Sequence, residues 1–81
     1  MKVKLVGFEE VGYTSKKTGR DVRGTRLHLE TEMPMNISGK GVRTQQEFVS
    51  DSVASSVMLE VGCEYELFYN RYGRVEEIRI A

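Results

Sequence analysis

Apolar and polar residues alternate along most of the chain, and the alternation predicts strands. From Val3 to Val11, Val6 and Phe8 share one face and Val3 and Leu5 the other, with Gly7 between the two pairs. A glycine there suits a bulge or bend, by which one strand serves both halves of a curled sheet. A second run, from about Arg20 to Thr31, turns Leu27 and Leu29 inward and Arg26, His28 and Glu30 outward. If Lys16-Lys17-Thr18-Gly19 forms the turn, Phe8 faces Leu27, Val6 faces Leu29 and Glu9 faces Arg26. Apolar then meets apolar and acid meets base, as a correct register requires.

Glu32 to Gly41 holds Met33, the only proline (Pro34), Met35, Asn36, Ser38 and Gly39, and reads as a loop. Val42 to Val49 reads as a third strand with Val42, Thr44, Gln46 and Phe48 on one face, although two glutamines fit no core pattern well. The period then changes. Val53, Val57 and Met58 fall at helical spacing, Ser50 or Asp51 can cap, and Gly62 can end the turn that follows, so a helix of about two turns is expected. Cys63–Asn70 and Arg74–Ile80 form the clearest hairpin. Closed at Tyr72-Gly73, it pairs Leu67 with Ile78, Tyr65 with Ile80 and Glu66 with Arg79, and leaves Phe68 outside the core on the Glu66 side.

Length makes this one domain, residues 1–81, with a thin core: a chain of this size buries roughly 60 to 65% of its unfolded surface. Apolar residues make up 40% and charged residues 30%, which is compatible with folding and not with disorder. A single cysteine, Cys63, precludes an internal disulfide, no cysteine pair has zinc spacing, and a reducing cytoplasm is the expected setting. Glu9 and Glu10 interrupt the apolar start before it can act as a signal peptide, and no segment has membrane-spanning length, so no membrane partner is expected.

Charge changes the picture more. The formal net charge is zero, yet residues 1–43 hold nine cations and five acids while residues 44–81 hold three cations and seven acids. Lys16, Lys17, Arg20, Arg23 and Arg26 lie within eleven residues that contain one acid, Asp21. A neutral chain that gathers cations on one arm invites an anionic partner. The same asymmetry would also serve self-association, and a homodimer is a candidate assembly because the core is small.

Strand, strand, strand, short helix, strand, strand is the element order of the OB-fold, and the expectation is a mainly β, five-stranded OB-like Greek-key barrel with a short helix between the third and fourth strands. An SH3-like barrel competes, but it would place a helical turn before its last strand, whereas two strands follow the helix here. Val11-Gly12-Tyr13-Thr14-Ser15-Lys16-Lys17-Thr18-Gly19 and Leu67-Phe68-Tyr69-Asn70-Arg71-Tyr72-Gly73-Arg74-Val75 resemble small proteins of Gram-positive bacteria, their phages and mobile elements. The arrangement is also similar to the filamentous-phage single-stranded DNA-binding proteins, compact OB-type dimers with a protruding basic hairpin. That resemblance implies strand coating during replication or transfer.

Coating a single strand needs cations along a backbone track and exposed rings on which bases stack. Lys16, Lys17, Arg20 and Arg23 supply the first; Tyr13, Phe68 and Tyr72 supply the second, with Arg71 and Arg74 flanking Tyr72. In an OB barrel the first-hairpin loop and the last-hairpin loop flank one face, so these residues would form a two-loop site for single-stranded nucleic acid, DNA rather than RNA. The plainer reading makes Tyr65 and Tyr69 core, Tyr13 a strand-end cover and the lysines solvated charge. A rival function is a protein-interaction module of a phage or mobile element that docks on a host protein, which zero net charge and the acids Glu60, Glu64, Glu66, Glu76 and Glu77 favour.

Catalysis is not expected: the one histidine, His28, and the one cysteine leave no set of partners for nucleophilic work, and Glu64 beside Cys63 opposes thiolate formation. Cys63 reads as a small core residue. His28, Glu30 and Glu32 alternate on one face and could hold a metal, but a solvated outer face explains them more simply, and neither metal nor cofactor is expected. Gly39-Lys40-Gly41 resembles a phosphate nest without the longer glycine-rich motif that would make it one.

Overall fold

The computed structural model describes residues 1–32 and 38–81. Its strands are β1 (Lys2–Thr14), β2 (Asp21–Glu32), β3 (Val42–Ser50), β4 (Glu64–Tyr69) and β5 (Val75–Ile80), with one helical turn, α1 (Asp51–Ala54), between β3 and β4. All strand pairs are antiparallel, in one sheet ordered β3-β2-β1-β4-β5. Among the described residues no ladder joins β3 to β5, so the sheet is open and the closed barrel expected from the element order is not formed. Met33, Pro34, Met35 and Asn36 of the expected loop lie outside the described residues.

The alternation becomes a core because the sheet curls. Val3 and Leu5 of β1, Leu27 and Leu29 of β2, Val49 of β3, Tyr65 and Leu67 of β4, and Val75 and Ile78 of β5 form one buried cluster. Each such aliphatic side chain removed from water stabilises the fold by about 1.5–3 kcal/mol. Across the gap, the half-buried Tyr69 hydroxyl of β4 donates to Glu47 Oε1 at 3.3 Å and lies 3.2 Å from Gln45 Nε2, which donates to it, so the β3 glutamine sits at the wall of the core, not in it. Burial is the main cause that pushes the Tyr69 hydroxyl above its ordinary pKa, and the charge of Glu47 adds to it. The Tyr65 hydroxyl donates to the Met58 carbonyl at 2.8 Å and accepts from the Glu60 N–H, which ties the α1–β4 connection down.

In β1–β2, Phe8 pairs with Leu27 and Glu9 with Arg26, as the sequence predicts. Val6 does not pair with Leu29; Leu5 does, because the register shifts between Leu5 and Gly7. One residue inserted at a bulge reverses the parity of everything after it. Leu5 and Phe8, on opposite faces of a regular strand, therefore share the core-side face, and Val6 is left exposed. The shift also frees β1 to leave β4: its first residues pair with β4 (Lys2 with Glu66, Lys4 with Glu64), while from Gly7 onward its ladder partner is β2.

The face of β3 that carries Val42, Thr44, Gln46 and Phe48 is the exposed one, and Val49 enters the core instead. The predicted two-turn helix is a single turn. Ser50 caps it by accepting the Val53 N–H, but the Ser55 and Ser56 hydroxyls donate to the Ser52 and Val53 carbonyls, competing with continued helix. Cys63 is exposed and not a core residue, because it lies in the turn before β4 with its thiol toward Glu60. The β4–β5 register pairs Tyr65 with Ile80, Glu66 with Arg79 and Leu67 with Ile78, as the sequence predicts.

Candidate nucleic-acid interface

The ladder between β2 and β3 ends at Gly24 opposite Ser50, whereas β1–β2 continues through Gly12–Arg23, Tyr13–Val22 and Thr14–Asp21. Beyond Gly24 the hairpin is thus a two-stranded arm, and the molecule extends 43 Å along its longest axis against 26 and 23 Å across it. The arm closes at Lys16–Gly19: the Ser15 N–H donates to the Arg20 carbonyl, the Gly19 N–H to the Ser15 carbonyl, and Gly19 takes φ +68°, open to glycine at little cost. The Thr14 hydroxyl donates to Asp21, which occupies the arm's one acid locally.

Among the described residues, ion pairs hold some cations of the body and none of the arm. In the body, Lys2 meets Glu64 at 3.0 Å, Arg79 meets Glu77 at 3.0 Å, and Glu9 takes both Arg26 at 3.3 Å and His28 at 3.2 Å. The hydrogen bond from His28, then that from Arg26, holds the Glu9 carboxyl below its ordinary range; the bond to Glu64 raises Lys2. Among the described residues, Lys16, Lys17, Arg20 and Arg23 enter no ion pair, and neither do Arg71 and Arg74. His28 is thus engaged by Glu9, and no three potential metal ligands converge among the described residues.

On the outer face of the arm, Tyr13 leans against Phe48, ring centroids 6.5 Å apart and planes at 59°. Phe48 reaches this position by lying over Gly24, where any Cβ would collide with the Phe48 ring and the Val49 carbonyl. Both rings stay solvent-accessible, 55% for Tyr13 and 41% for Phe48. Phe48 is a site residue that sequence reading does not supply. Its one signal is a glycine in a strand interior, which often marks a close approach. Alternation along β2 puts Val22 on this aromatic face and Arg23 on the opposite, core-side face, so the predicted arm residues divide between two surfaces.

The other predicted residues lie on β4–β5. Asn70 organises their turn: its side-chain oxygen accepts the N–H groups of Tyr72 and Arg74, while Gly73 supplies φ +77°. Tyr72 is 73% exposed, with the Arg71 guanidinium 5.0 Å from its ring centre, and Arg79 lies equally close over Phe68. Since β4 runs antiparallel to β1, the Asn70–Arg74 turn and the Lys16–Gly19 tip stand at opposite ends of their strands. The expected single two-loop site is therefore two cationic-aromatic patches, because each tip follows the C-terminal end of its strand and the neighbours β1 and β4 run in opposite directions. Among the described residues no helix is long and apolar enough to cross a membrane. Comparison with protein-family models, curated proteins and solved structures finds no match for this chain.

Proposed function

We propose that the protein binds single-stranded nucleic acid, DNA in preference to RNA, without catalysis, as an OB-like barrel left open between β3 and β5. One observation carries this reading: among the described residues none of the arm's four clustered cations has an acidic partner, and an exposed aromatic pair stands at the arm's base. Unpaired cations release counterions on meeting phosphates, and rings accept bases of any identity. Tyr72 with Arg71 and Arg74, and Phe68, offer a second foothold at the far end, so a bound strand would run along the molecule between the two patches. The acids of β4 and β5 would keep the strand on that track.

Fluorescence anisotropy of a labelled single-stranded oligonucleotide at two salt concentrations tests this. Affinity should fall by roughly 0.7 logarithmic units per phosphate contact for each tenfold rise in salt. No binding at low salt overturns the reading. Docking on a host protein is the second reading, favoured by zero net charge; it predicts background DNA affinity that arm substitutions leave unchanged.

A further inference from the structure

Among the described residues, β1 from Phe8 to Thr14 has a ladder on one side only, with β2. The phase of that ladder follows from the Ser15 N–H bond to the Arg20 carbonyl: alternate residues Tyr13, Val11 and Glu9 point their backbone groups at β2, and Phe8, Glu10, Gly12 and Thr14 point theirs away. An unpaired edge of this length is a template for another strand. Beside it lies an open cleft of about 810 Å³ between the arm and α1, lined by Phe8, Glu10, Arg23, Ala54 and Leu59 among others.

We infer that a second copy of this chain occupies this edge, β1 pairing antiparallel with β1 about a two-fold axis at Val11. A two-fold axis normal to the sheet keeps inner faces inner, so a residue can be its own partner only at the axis. Axes at Glu9 or Glu10 set like charges directly opposite, which is destabilising. With the axis at Val11, Phe8 meets Thr14, Glu10 meets Gly12 and Glu9 meets Tyr13 of the second copy, and all four outward-pointing residues are used. The cleft then receives small groups from the partner, at Gly12 and Thr14.

Charge fits the same register. Arg23 pairs with Gly12 on the core-side face, and a Cβ on Gly12 would lie 3.9 Å from Arg23 Cγ, so the arginine has no side chain beside it at that position to block its path to the edge. In the dimer, Gly12 stands opposite Glu10 of the other copy, and Arg23 reaches across it to that carboxylate, twice by symmetry. Among the described residues neither Glu10 nor Arg23 has an ion pair within the chain. Arg23 thereby belongs to the interface, on the face opposite Tyr13 and Phe48, and in the dimer Lys16, Lys17 and Arg20 remain as the arm's cations for phosphate.

Sedimentation equilibrium of the full chain without nucleic acid tests the inference, independently of whether oligonucleotides bind. The wild type should be a concentration-dependent dimer. Glu10→Arg and Arg23→Glu should each raise the dimer dissociation constant by about tenfold or more, and the double exchange should restore most of it. Val11→Lys, which sets two like charges at the axis, should also weaken the dimer with the circular dichroism spectrum unchanged. A wild type that stays monomeric at every concentration, or a double exchange no tighter than the single variants, would overturn it.

Discussion

The two hairpins of this molecule follow the same rule of alternation and end as different objects. In β4–β5, Tyr65, Leu67, Val75 and Ile78 all enter the core, and on the outer face Arg79 is tied to Glu77. In β1–β2 only the first half does this. Past the bulge at Val6 β1 leaves β4, beyond Gly24 the hairpin leaves β3 as well, and the arm so formed carries solvated cations and rings. Alternation specifies which face a residue takes; whether that face becomes core depends on what lies behind it.

The comparison breaks most visibly in stability. Leu67→Ala should cost about 2–5 kcal/mol, as a cavity in a thin core does, whereas Tyr13→Ala in the arm should stay within about 1 kcal/mol in urea unfolding. Equal costs would mean that the arm is packed core. Gly24→Ala should cost about 1–3 kcal/mol through overpacking, and by displacing Phe48 it should weaken oligonucleotide binding as well. Tyr72→Ala should leave stability within about 0.5 kcal/mol yet cost on the order of 1–3 kcal/mol of binding if its ring stacks on a base. An unchanged affinity would remove the far patch from the site.

The smallest effect concerns Glu9. Its carboxyl is held low in the folded state, so its contribution is present above the ordinary glutamate range and lost as pH falls through the lowered folded value. Glu9→Gln should therefore flatten the acid limb of stability against pH and change little at neutrality. A limb as steep as that of the wild type would show that the Arg26–Glu9–His28 contact adds nothing.

Much of this was legible in the residues. Direct apolar pairs (Phe8 with Leu27, Leu67 with Ile78) and charge pairs (Glu9 with Arg26, Glu66 with Arg79) set both registers, and Ser50 announced its cap. What escaped depends on non-local geometry. A bulge costs one residue of phase, which moved Leu5 into the place predicted for Val6. Phe48 and Val49 are adjacent and both apolar, and only the approach of Gly24 decides which turns outward. Cys63 has the composition of a core residue and the position of a turn residue. The separation of Tyr72 from Lys16 follows from strand direction, which residue chemistry at the tips does not reveal.

The central claim is that unpaired cations on the arm contact nucleic-acid phosphates. Its most direct test is the salt dependence of single-stranded DNA binding for the wild type beside the Lys16→Ala/Lys17→Ala double variant. The account predicts a slope shallower by roughly 0.7 for each lost contact. Identical slopes, or no binding by the wild type at low salt, would contradict it.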